Sequence, residues 1–480
     1  MTSEYEPVIG LEIHAQLLTR SKMFCACPAS YGAAPNTLVC PVCLGLPGAL
    51  PVANETAVEF AVTMGLATDC TIARRSVFAR KNYFYPDCPK NYQITQYDAP
   101  LCTGGHIRID GNDKKIRIKR IHLEEDAGKL VHSDEENSSY VDMNRVGIPL
   151  IEIVTEPDLR SPAEASLFMQ KLRAILRYLE ICDGNMEEGS LRCDVNVSLR
   201  KTGTGKHGVN TEIKNLNSFK AIEQALDYEV ERQKALLGQG LAVSHATLLW
   251  DDAAGECRVM RSKEEAHDYR YFPEPDLRVL EVSDTLIERA RASLPELPAA
   301  KEKRFVGDFG IPAYDAQLLT ATKEISDYYE IVARESGNPK AASNWVMGEV
   351  LRELNERKIE IPMFEITPER LARLIREVEK GTINIPTAKS VFKEMAKTGH
   401  DPEVIIAGKG LEQIGDEAEL DEIIGKVLDN HPSEVAMYLA GKVTLLKFLV
   451  GQVMKASKGK AHPQKTTDRL KTLLEERRDD

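Results

Sequence analysis

No apolar run in the 480-residue chain is long enough to cross a bilayer; the longest are cut by Asn54, Glu55, Lys442 or Lys447, so no membrane association is expected. The first seven residues carry Glu4 and Glu6 where a secretory signal needs basic side chains, and no apolar core follows. A cytosolic protein is expected. Ten cysteines are far too few for a disulfide-stapled scaffold, so in a reducing compartment they serve as thiols or metal ligands, and their spacing matters more than their number. A basic excess is also lacking: 62 Lys and Arg stand against 74 Asp and Glu, a net charge of -12. Coating of a nucleic acid by the whole surface is thereby excluded, and any polyanion must be met by a local patch. The chain has no GxxxxGK[ST] phosphate loop, no HExxH pair, no internal repeat and no Gly/Ser-rich segment of the kind that supplies an amidase nucleophile. If ATP is used, it is not through a P-loop, and any ammonia must be released by another chain.

What remains is a globular composition, 42% hydrophobic and 28% charged, with length for about three domains. To about residue 295 strand-like alternation is mixed with a few helices; beyond the stretch Leu294-Pro295-Glu296-Leu297-Pro298 helical periodicity dominates. Ile9, Leu11 and Ile13 face one way in an extended run, leaving Glu12 and His14 together on the other side. Leu191, Cys193, Val195, Val197 and Leu199 repeat the pattern against Arg192, Asp194 and Asn196, and Val209 and Ile213 repeat it against Asn210, Glu212 and Lys214, as in a hairpin with a long Gly-rich turn. Ser161-Pro162-Ala163-Glu164 predicts a capped helix ending near Gly184, and Ser218 opens another to Gly238. An antiparallel sheet with helices on its apolar face and an open polar face follows, and the open face is where chemistry is expected.

The sharpest spacing is Cys25-x-Cys27, twelve residues, then Cys40-Pro41-Val42-Cys43. Two thiolate pairs on tight turns make a closed tetrahedral zinc knuckle, structural rather than catalytic; the plain alternative is four reduced cysteines. A second constellation is acidic and discontinuous: Glu12 and His14, Glu124-Glu125-Asp126, and Asp194 with Glu212 behind it. Carboxylates of this kind suit magnesium with a phosphorylated substrate, although any one of them could be merely solvated. Strict alternation puts Glu124 and Glu125 on opposite faces, so only one reaches a common metal unless the strand breaks there. The run from Arg80 to Gln93 interleaves Lys81, Tyr83, Tyr85, Lys90 and Tyr92, a mixture able to stack a base and hold phosphate or to pack its rings on the domain. Gly203-x-Gly205-x-x-Gly208 matches a dinucleotide fingerprint but joins two antiparallel strands and opens no helix, so it is a turn. Residues 401 to 430 carry nine acidic and two basic side chains, whereas residues 431 to 467 carry six lysines against Glu434 alone. Lys455, Lys458 and Lys460 close that basic lobe, either capping a helix or contacting a polyanion.

The strings from Gly10 to Leu17, Arg80 to Asp87, His122 to Lys129, Leu150 to Asp158, Glu212 to Phe219, Met260 to Asp276 and Gly451 to Lys460 resemble the B-subunit family of the glutamyl/aspartyl-tRNA amidotransferases, in order and along essentially the whole chain. The resemblance implies an α+β fold: a cradle-shaped kinase domain with the zinc knuckle over residues 1–295, a helical domain over 296–405 and a tRNA-binding tail over 406–480. It implies ATP-dependent conversion of Glu or Asp, wrongly attached to the tRNA for Gln or Asn, into an acyl phosphate that ammonia then amidates. It also implies a glutaminase (amidase) partner as the A subunit, a small C subunit, ATP, magnesium and structural zinc. Carried over by motif, Glu12, His14, Glu125 and Asp194 would hold magnesium, with Glu125, Asp194 and Lys81 catalytic. Lys81, Tyr83, Tyr85 and Lys90 would contact the nucleotide or aminoacyl end, Lys214, Asn215 and Asn217 would line the site further, and Lys455, Lys458 and Lys460 would contact tRNA. The alternative is a non-catalytic tRNA-binding scaffold whose partner performs both chemical steps.

Overall fold

The computed structural model describes residues 4–109, 114–133, 137–206, 208–262, 269–411, 417–457 and 460–479. The chain divides into two compact units, Met1–Pro298 and Ala299–Asp480.

The first unit is built on a ten-stranded sheet. Its long strands run in the order Glu256–Ser262, Ala246–Asp251, Thr211–Leu216, Leu191–Lys201, Tyr5–Gln16, Pro149–Thr155 and Lys115–Glu125, with short strands beyond. Neighbouring strands are antiparallel except Thr211–Leu216 with Ala246–Asp251, which run parallel because the helix Phe219–Gly238 carries the chain between them. Alternation assigns the faces. Ile9, Leu11, Ile13, Ile153, Val195 and Val197 are buried in one core with Phe168, Leu172, Ile222 and Leu226 of two covering helices, while the intervening positions carry polar side chains.

The helix Pro162–Tyr178 opens as expected, with the Ser161 hydroxyl accepting from the Glu164 N–H at 3.2 Å. The Glu164 carboxylate reaches one residue further back, accepting from the Arg160 N–H at 2.7 Å. The helix stops six residues before Gly184, since Glu180 already adopts a positive φ of 57°. The expected hairpin is present, Val195 facing Ile213 and Asn196 facing Glu212. Its connection holds Gly203, Gly205 and Gly208 and opens no helix; a Cβ on Gly208 would overlap the Leu199 carbonyl oxygen, so backbone crowding accounts for that glycine.

In the second unit every element described is helical. Its apolar side chains form two separate clusters, one including Phe305, Tyr329, Trp345 and Phe392, the other Ile424, Leu449, Leu470 and Leu474. Among the described residues, no helix is long and apolar enough to cross a membrane.

Candidate metal and nucleotide site

The polar face of the sheet carries an ordered line of side chains. In the strand register His14 stands opposite Glu152 and Glu152 opposite His122, so three adjacent strands contribute one residue each, and Glu124 lies two residues beyond His122. His14 Nε2 is 3.4 Å from Glu124 Oε1 and 3.5 Å from Glu152 Oε2, and His122 Nε2 is 3.5 Å from the same Glu152 oxygen. The Arg120 guanidinium reaches Glu152 Oε1 at 3.2 Å, and the Thr95 hydroxyl donates to Glu124 Oε2 at 3.1 Å. A register shift makes this alignment possible. Thr155 pairs with Ile118 but Val154 pairs with Arg120, so one extra residue at position 119 reverses the alternation. Ile116 and Ile118 before the bulge and Ile121 and Leu123 after it therefore share the core, and His122 and Glu124 emerge on the polar face.

Burial sets the electrostatics. Glu124 and Glu152 are 1% and 5% exposed, an environment that by itself favours the neutral acid. For Glu152 the charges of His122 and His14 and the His14 hydrogen bond reverse this and hold the carboxyl far below its usual range; for Glu124 the His122 hydrogen bond, His14 and Lys81 outweigh burial and lower it. Burial would lower His14, but the hydrogen bond to Glu152 and the charges of Glu124 and Glu152 raise it to about 9. Glu12 is pushed up by burial and by the charges of Glu152 and Asp194, which outweigh those of His14 and Lys214.

Two groups of donors on this face lie close enough to share one ion: Glu12, His14 and Glu152, and His122, Glu124 and Glu152. Of these donors His14 and Glu124 line a cavity of about 270 Å³, together with Lys81, Tyr83, Lys90, Tyr92, Glu125, Asp194 and Tyr269. The Lys81 ammonium lies 5.0 Å from the centre of the Tyr269 ring; burial lowers its pKa, but Glu124, Tyr271, Tyr269 and Glu152 together outweigh burial and raise it.

The expected quartet of Glu12, His14, Glu125 and Asp194 does not assemble. Glu125 projects from the opposite side of its strand, where its carboxylate accepts from the Lys90 ammonium and from the Ile94 N–H at 3.0 Å, so Glu124 takes the place beside His14. Asp194 stands opposite Glu12 across the strand pair, but the Lys214 ammonium is 2.5 Å from Asp194 and 3.0 Å from Glu212, compensating both. Lys81, Tyr83 and Lys90 line the cavity, whereas Tyr85 is half exposed and outside its lining. Asn215 and Asn217 do not line it either; Asn215, near the end of the strand Thr211–Leu216 where the register shifts, has φ 68° and donates its side-chain N–H to the Trp250 carbonyl at 2.9 Å. Lys455 is exposed at the end of the helix Leu445–Ala456, Lys460 is partly buried, and Lys458 lies outside the described residues. Glu152 and His122 were not singled out as site residues. The available signal was a lone acid inside the apolar strand Pro149–Thr155, buried where a carboxylate needs a reason to be.

Cys25, Cys27, Cys40 and Cys43 converge, with their sulfurs within 4.8 Å of one another. Cys40 and Cys43 sulfurs are 3.9 Å apart, close to the roughly 3.8 Å edge of a tetrahedron with metal–sulfur bonds of about 2.3 Å. The knuckle packs against Lys90, one of the residues that line the cavity. Gly45 has φ 69°, and a Cβ there would overlap Lys90 Cγ, so the turn packs directly on the residue that pairs with Glu125.

Comparison with known proteins places this arrangement. Residues 7–288 match the family model described as the GatB/GatE catalytic domain, and residues 327–474 match the one described as the GatB domain. The chain belongs to this family. It is 54% identical to the B subunit of the aspartyl/glutamyl-tRNA(Asn/Gln) amidotransferase of Thermodesulfovibrio yellowstonii, over 98% of this chain and the whole of that protein. The proteins of the same description from Chlorobium phaeobacteroides and Thermoanaerobacter pseudethanolicus are 52% and 54% identical, each over 98% of this chain and 99% of theirs. Every part of the polar-face cluster and the whole four-cysteine knuckle fall within the catalytic-domain match.

Proposed function

We propose that this chain is the activating subunit of a tRNA-dependent amidotransferase, a glutamine-dependent ligase that turns Glu or Asp misattached to the tRNA for Gln or Asn into the cognate amide. Full-length likeness to the B subunits supports the reaction class. The observation that carries the assignment of chemistry to this chain is the buried Glu124–His14–Glu152–His122 cluster, whose His14 and Glu124 line a cavity that is also lined by Lys81.

A side-chain carboxylate repels nucleophiles and has no leaving group, so it must become an acyl phosphate before ammonia can displace oxygen. The donors fit magnesium: each group offers two hard carboxylate oxygens and one imidazole, Glu12 and Glu152 with His14, or Glu124 and Glu152 with His122, and His14 and Glu124 face the cavity. When bound, magnesium would neutralise triphosphate charge. Glu12, Glu124, Glu152 and His14 would hold the ion. His122 and Arg120 orient Glu152, and Thr95 orients Glu124. Lys81, fixed against Tyr269 beside Glu124, would take up charge on the transferring phosphoryl group, and Tyr83, Tyr92 and Tyr269 offer ring faces for ATP or the aminoacyl end. Asp194 and Lys214 would act as a charge-balanced pair at the rim, and Lys90 with Glu125 as a second pair deeper in the wall.

The four thiolates would hold a structural zinc, leaving no open coordination position. Residues 296–405 and 406–480 would serve as separate helical and tail modules, a reading supported by their separate clusters, with Lys455 and Lys460 meeting tRNA phosphates. Ammonia would come from a glutaminase A subunit, and a small C subunit would complete the assembly, consistent with the missing amidase nucleophile segment and with relatives described as B subunits.

The test is tRNA-dependent ATP cleavage by the reconstituted complex carrying Glu152→Gln. Cleavage is expected to fall on the order of a thousandfold, with glutaminase activity and tRNA affinity retained. Wild-type cleavage by that variant would favour the scaffold reading.

A further inference from the structure

Lys22 is 0% exposed, the most hidden charged side chain near the knuckle. Its ammonium donates to the Leu38 carbonyl at 2.7 Å and lies 3.8 Å from Cys43 Sγ, and among the described residues it makes no ion pair with a carboxylate. An ammonium removed from water costs several kcal/mol unless a counter-charge sits beside it. A carbonyl dipole does not supply that charge, and four protonated thiols do not supply it either. Four thiolates around a divalent cation do, because the centre is then formally doubly negative. The centre has the complementary problem: a buried dianion needs a cation or several N–H donors, and Cys43 already accepts from the Cys40 N–H at 3.1 Å.

We propose that Lys22 is the charge-balancing and positioning residue of the four-cysteine centre, placed against Cys43 and tying together the two cysteine pairs. The inference rests on the zinc reading above and goes beyond it. The tie is geometric. The Lys22 N–H donates to the Cys27 carbonyl at 2.9 Å, within the first pair, while its ammonium reaches across to Leu38, two residues before the second pair, and to Cys43. The Lys22 stem passes Gly147, whose Cβ position would be 3.5 Å from Lys22 Cδ and 3.6 Å from Cys43 Cβ, so the same lysine lines the contact between the knuckle and the strand Pro149–Thr155. A lysine at a solvated surface near a zinc finger would have no such constraint; here it is enclosed, and among the described residues no carboxylate lies within 4 Å of its ammonium while the Cys43 sulfur does.

The experiment uses the full chain in its complex, with cobalt(II) exchanged for zinc. The sulfur-to-cobalt charge-transfer band and the rate of metal release to a chromogenic chelator are recorded for wild type, Lys22→Met and Lys22→Gln. Met keeps the length of the stem without charge, and Gln keeps a donor without charge. Both are expected to release metal about tenfold faster or more and to shift the band. Stripping the metal is also expected to lower the melting temperature more in wild type than in Lys22→Met, because only wild type is left with an ammonium beside protonated thiols. Wild-type release and an unmoved band in both variants, restoration by Gln, or the reverse order of melting shifts would overturn the proposal. A wild-type chain that takes up no metal would instead refute the zinc reading, which separates the two failures.

Discussion

The first unit holds two sets of side chains able to bind metal, and they are built in opposite ways. The knuckle comes from two turns within residues 25 to 43, uses four sulfurs and closes on itself. The polar-face cluster draws on residues from Glu12 to Glu152 in three strands, uses oxygen and nitrogen donors and opens on a cavity. Closure with soft ligands makes a staple, whereas an open set of hard ligands leaves positions for water and phosphate. The two are also in mechanical contact. Gly147 accepts from the Met23 N–H at 2.7 Å and donates to the Asp126 carbonyl at 2.9 Å, and Gly45 packs on Lys90. The knuckle therefore packs behind Lys90, a residue that lines the cavity, without itself lining it.

That contrast fails if the two proposed metal sites respond alike to withdrawal of magnesium and of zinc. Removing magnesium is expected to abolish ATP cleavage in the complex, reversibly and with little change in melting temperature. Removing zinc, or changing Cys40→Ser, is expected to lower the melting temperature by roughly 5–10 °C. Calorimetry alongside the cleavage assay distinguishes them, and a zinc-free protein of unchanged stability would remove the staple. A smaller effect sharpens the contact between the sites. Gly45→Ala places a methyl group against Lys90 at a positive φ and is expected to cost about 2 kcal/mol in urea unfolding, with ATP cleavage reduced because Lys90 and Glu125 are displaced. Unchanged stability would show that the turn does not bear on Lys90.

The smallest effect concerns pH. In metal-free protein the His14 pKa is raised from 6.5 to about 9, so the folded state binds that proton more tightly than the unfolded chain. The stability due to His14 is fully present below about 6.5 and is lost as pH rises through about 9. Proton NMR should place the His14 midpoint near 9 without magnesium, and magnesium should lower it by competing with the proton. A midpoint near 6.5 in the metal-free state would mean that Glu124 and Glu152 do not act on His14 as their distances imply.

The two sites also differ in how far the sequence reveals them. The knuckle is readable because its ligands are neighbours along the chain, as are the helix starts at Ser161 and Ser218. Alternation correctly places Glu12 with His14, and it separates Glu124 from Glu125. It does not say which of the two faces His14, because that depends on the bulge at position 119 and on the pairing of strands more than a hundred residues apart. Glu152 is hidden for the same reason, as a single acid whose partners arrive from other strands. Asp194 shows the remaining difficulty: it sits in register with Glu12, but the adjacent Lys214 compensates it, and no spacing rule foretells which carboxylate receives the cation.

The most direct test of the central claim is anomalous scattering from a crystal of the complex soaked with manganese and a non-hydrolysable ATP analogue. The account predicts a manganese peak bound by oxygens of Glu12, Glu124 or Glu152 beside His14, with the triphosphate running toward Lys81. A triphosphate and manganese bound on another chain, with the polar face of this sheet holding neither, would contradict it.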